Sequence, residues 1–78
     1  MNATDAARLA QLGAEVHAAR LILGIGQNEF ARRAGVDAAV LSKLLRARVL
    51  AAPSERKIRA YLRRLSRRAA IRGQGTAA

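Results

Sequence analysis

Cysteine is missing from this chain, which excludes disulfides and thiolate metal sites and leaves the redox compartment open. Tryptophan is missing too, and the aromatic side chains are one phenylalanine, Phe30, and one tyrosine, Tyr61. The single histidine, His17, has only Glu15 nearby in sequence, so no metal-ligand or acid–base cluster forms around it. Ser42, Ser54 and Ser66 have no base partner, and Gly24-Ile25-Gly26 has neither the preceding strand nor the GK[ST] of a phosphate loop. An enzyme is therefore not expected, and neither a cofactor nor a metal. No apolar run approaches the ~20 residues that cross a bilayer, and no basic–apolar–small leader opens the chain. A soluble, cytoplasmic protein with no membrane partner is the expectation.

Acidic residues are also scarce. Five Asp and Glu stand against fifteen Lys and Arg, giving a net charge of +10 and a pI near 11.9. Such an excess points to a polyanionic partner, nucleic acid first and an anionic membrane surface second. With 78 residues and 8.3 kDa the chain makes one small domain. Much of its 51% hydrophobic content is alanine, so the core is modest and self-association would help it.

The apolar pattern is helical throughout, with no repeat and no convincing strand. Leu9, Leu12, Val16, Ala19 and Leu23 recur at three- and four-residue spacing and predict a helix over residues 1–23. Thr4 or Asp5 offers a cap, and Gly13 is a point where the first turn could separate from the rest. Gly24 is a natural stop. A second helix is expected from Gln27 to Ala34, with Gly26 as its cap and Glu29 reaching back to the Gly26 amide. Gly35 ends it. Asp37 is expected to cap a third helix, running to about Arg46, by accepting from its first amides.

Residues 47–53 form a connector that tucks Val49 and Leu50 inward. Pro53 and Ser54 open the last helix, whose stripe is Ile58, Tyr61, Leu62, Leu65 and Ala69 among many arginines. The sequence thus predicts an all-α, compact domain over residues 1–72, of four helices or five. Residues 73–78 read as a disordered tail.

The stretch QNEFARRAGVDAAVLSKLLR, residues 27–46, carries the functional signal. Phe30 and Ala34 share one face of the first short helix, and Leu41 and Leu44 share one face of the second. A sharp turn at Gly35 folds those faces onto each other, and Ala31 leaves the helices room to cross closely. Such a corner is a helix-turn-helix.

These residues resemble the helix-turn-helix of Cro/CI-type (Xre) phage and plasmid repressors, at Gln27, Ala31, Gly35, Val36, Leu41 and Leu44. With the preceding LILGIG and the following helix, the resemblance spans roughly residues 13–65. It implies a lambda-repressor-like fold and a third helix that enters the DNA major groove by its N-terminal end. It further implies that Gln27 meets the DNA backbone, with Asn28 and Arg48 beside the DNA. The outward positions of the third helix are then Asp37, Ala38, Ala39, Ser42, Lys43 and Arg46. Alanine cannot hydrogen-bond a base, so readout falls mainly on Lys43 and Arg46, with Ser42 assisting and alanine methyls against thymine methyls. Two departures from the family pattern stand out: Ala47 where a glycine is common, and one long basic helix in place of the last elements.

The resulting expectation is a nucleoid-associated, dimeric repressor that binds double-stranded DNA at a palindromic operator. Its seam would involve Leu62, Leu65 and Ala69, and a second regulatory protein could join it. Two rivals remain. One is an antitoxin that also binds a toxin, using the spare residues 1–12 and 66–78. The other is a sequence-indifferent binder of nucleic acid or anionic membrane built on the cationic last helix.

Overall fold

The computed structural model describes the backbone of residues 3–46 and 50–77 and the side chains of 4–46 and 50–69. Four helices account for it: α1 (Ala3–Leu23), α2 (Gln27–Ala34), α3 (Ala38–Leu45) and α4 (Ala52–Ala77). There is no strand among the described residues, and the all-α architecture stands. Arg48 and Val49, both given roles by the sequence, lie outside the described residues.

One core unites the helices. It contains Leu9, Leu12 and Val16 from α1, Phe30, Ala31 and Ala34 from α2, Leu41 and Leu44 from α3, and Ile58 and Tyr61 from α4. Phe30 is fully buried and meets the Tyr61 ring edge-on, with centroids 5.1 Å apart at 71°. That is the favourable geometry for two ring quadrupoles. Arg64 lies over the outer side of Tyr61, 5.6 Å from the ring centre.

Two glycines end helices in the left-handed conformation, Gly24 at φ +68° and Gly35 at φ +81°. After Gly24, the Ile25 amide donates to the Arg20 carbonyl at 3.1 Å; after Gly35, the Val36 amide donates to the Ala31 carbonyl at 3.0 Å. The Gly35 amide donates to the Arg32 carbonyl as well, at 3.2 Å. Amides that reach back five residues in this way close otherwise unpaired carbonyls and turn the chain inward. Ile25 and Val36 accordingly pack against the core.

Gly13 does something the sequence does not suggest. It does not break α1, which runs unbroken past it. It is buried, and a Cβ built there would stand 3.5 Å from the Leu44 carbonyl oxygen and 4.0 Å from Leu45 Cδ2. The glycine is where α1 lies close on the end of α3.

Several end details differ from the sequence reading. Thr4 and Asp5 sit inside the first turn of α1 rather than ahead of it, because the helix already includes Ala3. Asp5 faces Arg8, at 3.5 Å. Gly26 is the N-cap of α2, as expected, but Glu29 binds Arg32 and Arg33 instead of the Gly26 amide. Two guanidinium partners on its own helix outcompete one backbone amide. Asp37 holds the N-cap position of α3 through its backbone, its carbonyl accepting from Val40 and Leu41, while its side chain makes no capping bond.

α4 starts at Ala52, one residue before Pro53, and its first bond runs from the Glu55 amide to the Ala51 carbonyl at 3.1 Å. Proline is tolerated here because the first helical amides have no acceptor to lose. At its other end α4 continues to Ala77, through residues read from the sequence as a tail. Helix propagation needs only one bond per added residue once the helix exists, so GQGTA can follow on.

Within the segment 1–12, the described residues 4–12 are not spare. Leu9 and Leu12 are buried, and Arg8 donates to Glu55 at 2.9 and 2.7 Å. Glu55 also accepts from Arg59 at 2.9 Å. This nearly buried carboxylate ties the start of α1 to the first turn of α4, and its two cationic partners offset the cost of burying it.

Replacing Gly13 with alanine is expected to stabilise the protein by about 0.5–1 kcal/mol, because the new methyl meets only ordinary van der Waals contacts and the helix gains propensity. Valine at the same position adds branches toward the Leu44 carbonyl and should cost about 1–3 kcal/mol. Thermal melts of the two variants should therefore shift in opposite directions. Gly35→Ala meets no atom within 4 Å, so its expected loss is conformational alone. That loss should be roughly 1–2 kcal/mol, read as a lower urea midpoint with an unchanged slope.

Candidate nucleic-acid interface

The corner of α2 and α3 is held from the inside. Phe30, Ala31 and Ala34 face Leu41 and Leu44 within the core, so the opposite side of α3 is left outward. Ala39, Lys43 and Arg46 are exposed there at helical spacing, with Ser42 half-buried beside them. Arg46 is the residue that ends α3; its amide donates to the carbonyls of Ser42 and Lys43, both at 3.2 Å. The side chain thus leaves from the cap just past the last turn of the helix, and Lys43 from that last turn.

Not every expected position faces out. Ala38 is half-buried and packs against the core, so its methyl is largely turned away from any groove-reading face. The cause is its place directly after Val36 and Asp37, where the chain is still returning from the Gly35 turn. Asp37 and Asn28 are exposed and Gln27 is half-exposed. Gln27 is the first residue of α2, where free helix amides and the positive end of the dipole favour an anion.

A shallow depression beside the start of α3 was not foreseen from the sequence. It is lined by Gly35, Val36, Asp37 and Val40, with Arg32 from α2 and Ser54 and Lys57 from α4. Arg32 and Lys57 are exposed. The depression places cations from two flanking helices around the start of α3. A faint signal existed: Lys57 lies near the start of α4, which the αα corner must pass. Its position relative to Arg32, twenty-five residues earlier, depends on the fold.

Electrostatics along α2 are shaped by Glu29. Its carboxyl is held below the usual carboxylate range, first by the hydrogen bond from Arg33 and then by that from Arg32. Arg33 is pushed up in turn, chiefly by Glu29 and secondly by the Tyr61 hydroxyl. Glu29 sits in the first turn of α2 and steadies two arginines that reach solvent. Around the rest of α4, Arg56, Arg63, Arg64, Arg67 and Arg68 are all exposed.

The expected seam residues split. Leu62 and Leu65 are half-buried and pack against the chain's own core, while Ala69 is exposed. α1 covers part of what the sequence left open on α4. His17 is exposed on α1, and no group of three or more His, Cys, Asp or Glu that could hold a metal is found among the described residues. Nor is any described helix long and apolar enough to cross a membrane. What the arrangement offers is a rigid, slim, basic helix edge and a cationic surround. No protein-family model, curated protein or solved structure matches the chain.

Proposed function

We propose that this chain is a sequence-specific, double-stranded DNA-binding repressor that acts as two copies on a palindromic operator. The observation that carries the reading is α3: one face locked into the core by Leu41 and Leu44, the other presenting Ala39, Lys43 and Arg46. A helix edge with small side chains at its start lets the backbone sit deep in the major groove. Lys43 and Arg46 then read base edges, and guanine O6 and N7 are their best partners. Ser42 assists from its half-buried position, and only the Ala39 methyl is free to touch a thymine methyl.

The cations around α3 do a different job. Arg32, Lys57 and the amides at the start of α2 at Gln27 hold phosphates, which position the protein and make affinity salt-dependent without reading sequence. One such helix makes too few base contacts for useful genomic specificity, so two copies on half-sites about 10–10.5 bp apart are required. Binding phosphate charge offsets the repulsion between two chains of +10 each, so pairing is strongest on the operator. Work on the nucleoid, and repression by blocking polymerase, follow from this reading.

The rival with most support is non-specific binding through the exposed arginines of α4. The same variants separate the two. Lys43→Ala and Arg46→Ala should each cost about 1–3 kcal/mol on the operator and erode discrimination against scrambled DNA. Arg32→Ala and Lys57→Ala should weaken binding to all sequences alike and each lower the salt slope by about 1. Quantitative mobility shifts across a salt series measure both. Equal behaviour of the four variants would favour the non-specific reading.

A further inference from the structure

A concave surface of the protein lies away from α2 and α3. It is an open groove of about 620 Å³ between residues 15–23 of α1 and 59–69 of α4, and no lining residue comes from the helix-turn-helix. Its floor is apolar and shallow: Ala18 and Ala19 on one side, Leu62, Leu65 and Ala69 on the other. Ile22 stands at its edge with 85% of its surface exposed. An isoleucine left that open, next to an apolar trough, is surface that a partner would cover.

Charge says what kind of partner. Arg59, Arg63 and Arg68 line the groove, with Glu15 the only acid among the lining residues. Arg59 is engaged with Glu55, but Arg63 and Arg68 have no carboxylate partner among the described residues. A second copy of the chain would bring the same uncompensated arginines and another +10. A bilayer is flat, whereas this surface is a trough between two helices. The stretch 59–69 is three turns long, or about 16 Å at 1.5 Å per residue, which suits a helix of similar length laid along it.

We propose that this groove receives an acidic amphipathic helix from a partner protein. Apolar side chains at i, i+3, i+4 and i+7 fill the trough against Ile22, Leu62 and Leu65. Flanking Asp or Glu side chains meet Arg63 and Arg68. The assignment uses none of the residues given to DNA contact, and it gives Leu62, Leu65 and Ala69, expected from the sequence at a dimer seam, to the partner helix instead.

The test uses the full chain without DNA and a fluorescein-labelled 18-residue helical peptide, with leucine at the four anchor positions and glutamate at most others. Two controls share its length: one with lysine for every glutamate, and one with the same composition scrambled to destroy the apolar face. Fluorescence anisotropy should give a dissociation constant on the order of micromolar for the acidic amphipathic peptide and at least tenfold weaker binding for both controls. Ile22→Ser and Arg63→Glu, both on exposed positions and so expected to keep the wild-type circular dichroism, should each weaken it tenfold or more. Three results overturn the proposal. The first is no binding, or binding that neither substitution changes. The second is sedimentation showing a free dimer that Ile22→Ser dissociates, which gives the groove to a second copy. The third is preferential binding to phosphatidylglycerol vesicles, lost in Ile22→Ser, which gives it to a membrane.

Discussion

Phe30 packed edge-on against Tyr61 is the contact on which the arrangement depends. The two rings are the only aromatic groups in the chain, and they join α2 to α4 at the centre of a core otherwise built from Leu, Ile, Val and Ala. A small domain has little apolar surface to bury, so the position of its one phenylalanine largely decides which way the short helices face. With Phe30 inward, the α2 register puts Ala31 and Ala34 inward too, and the Gly35 turn then brings Leu41 and Leu44 onto them. Lys43 and Arg46 are outward as a consequence.

The same economy of volume appears where helices approach one another. α1 reaches α3 at Gly13, beside the Leu44 carbonyl, and α2 turns into α3 through a glycine that needs a positive φ. Ion pairing closes the opposite side, where Arg8 and Arg59 share the Glu55 carboxylate. Small residues set the spacing, one aromatic pair sets the orientation, and one carboxylate joins the ends. Nearly all remaining charge is positive and outward, which leaves the surface suited to a polyanion.

How far the sequence reveals this depends on the range of the interaction. The bounds of α2 follow from Gly24, Gly26 and Gly35, because helix stops are local events. The buried face of each helix follows from its period, and the ten core residues all lie on faces that periodicity identifies. Contacts across the fold are not legible. Glu55 is 47 residues from Arg8, and no local pattern pairs them. Gly13 reads as a weak point within α1 until α3 is seen against it. Asp37 and Glu29 carry good capping chemistry, yet neither side chain caps, since nearby guanidiniums and backbone geometry decide their use. The start of α3 is similar: Ala38 counts as outward by position, but the preceding turn draws it onto the core. The trough beside Ile22 exists only because α1 and α4 run side by side, so the stripe on α4 alone suggests a seam.

The central claim is that α3 reads a particular DNA sequence and that two copies do so together. Selection of bound fragments from a random double-stranded pool, at physiological salt and with excess unrelated DNA, tests it most directly. The account predicts enrichment of an inverted repeat whose half-sites lie about one helical turn apart and each contain a guanine. A pool that stays random after repeated rounds, or a winner without two-fold symmetry, would contradict it.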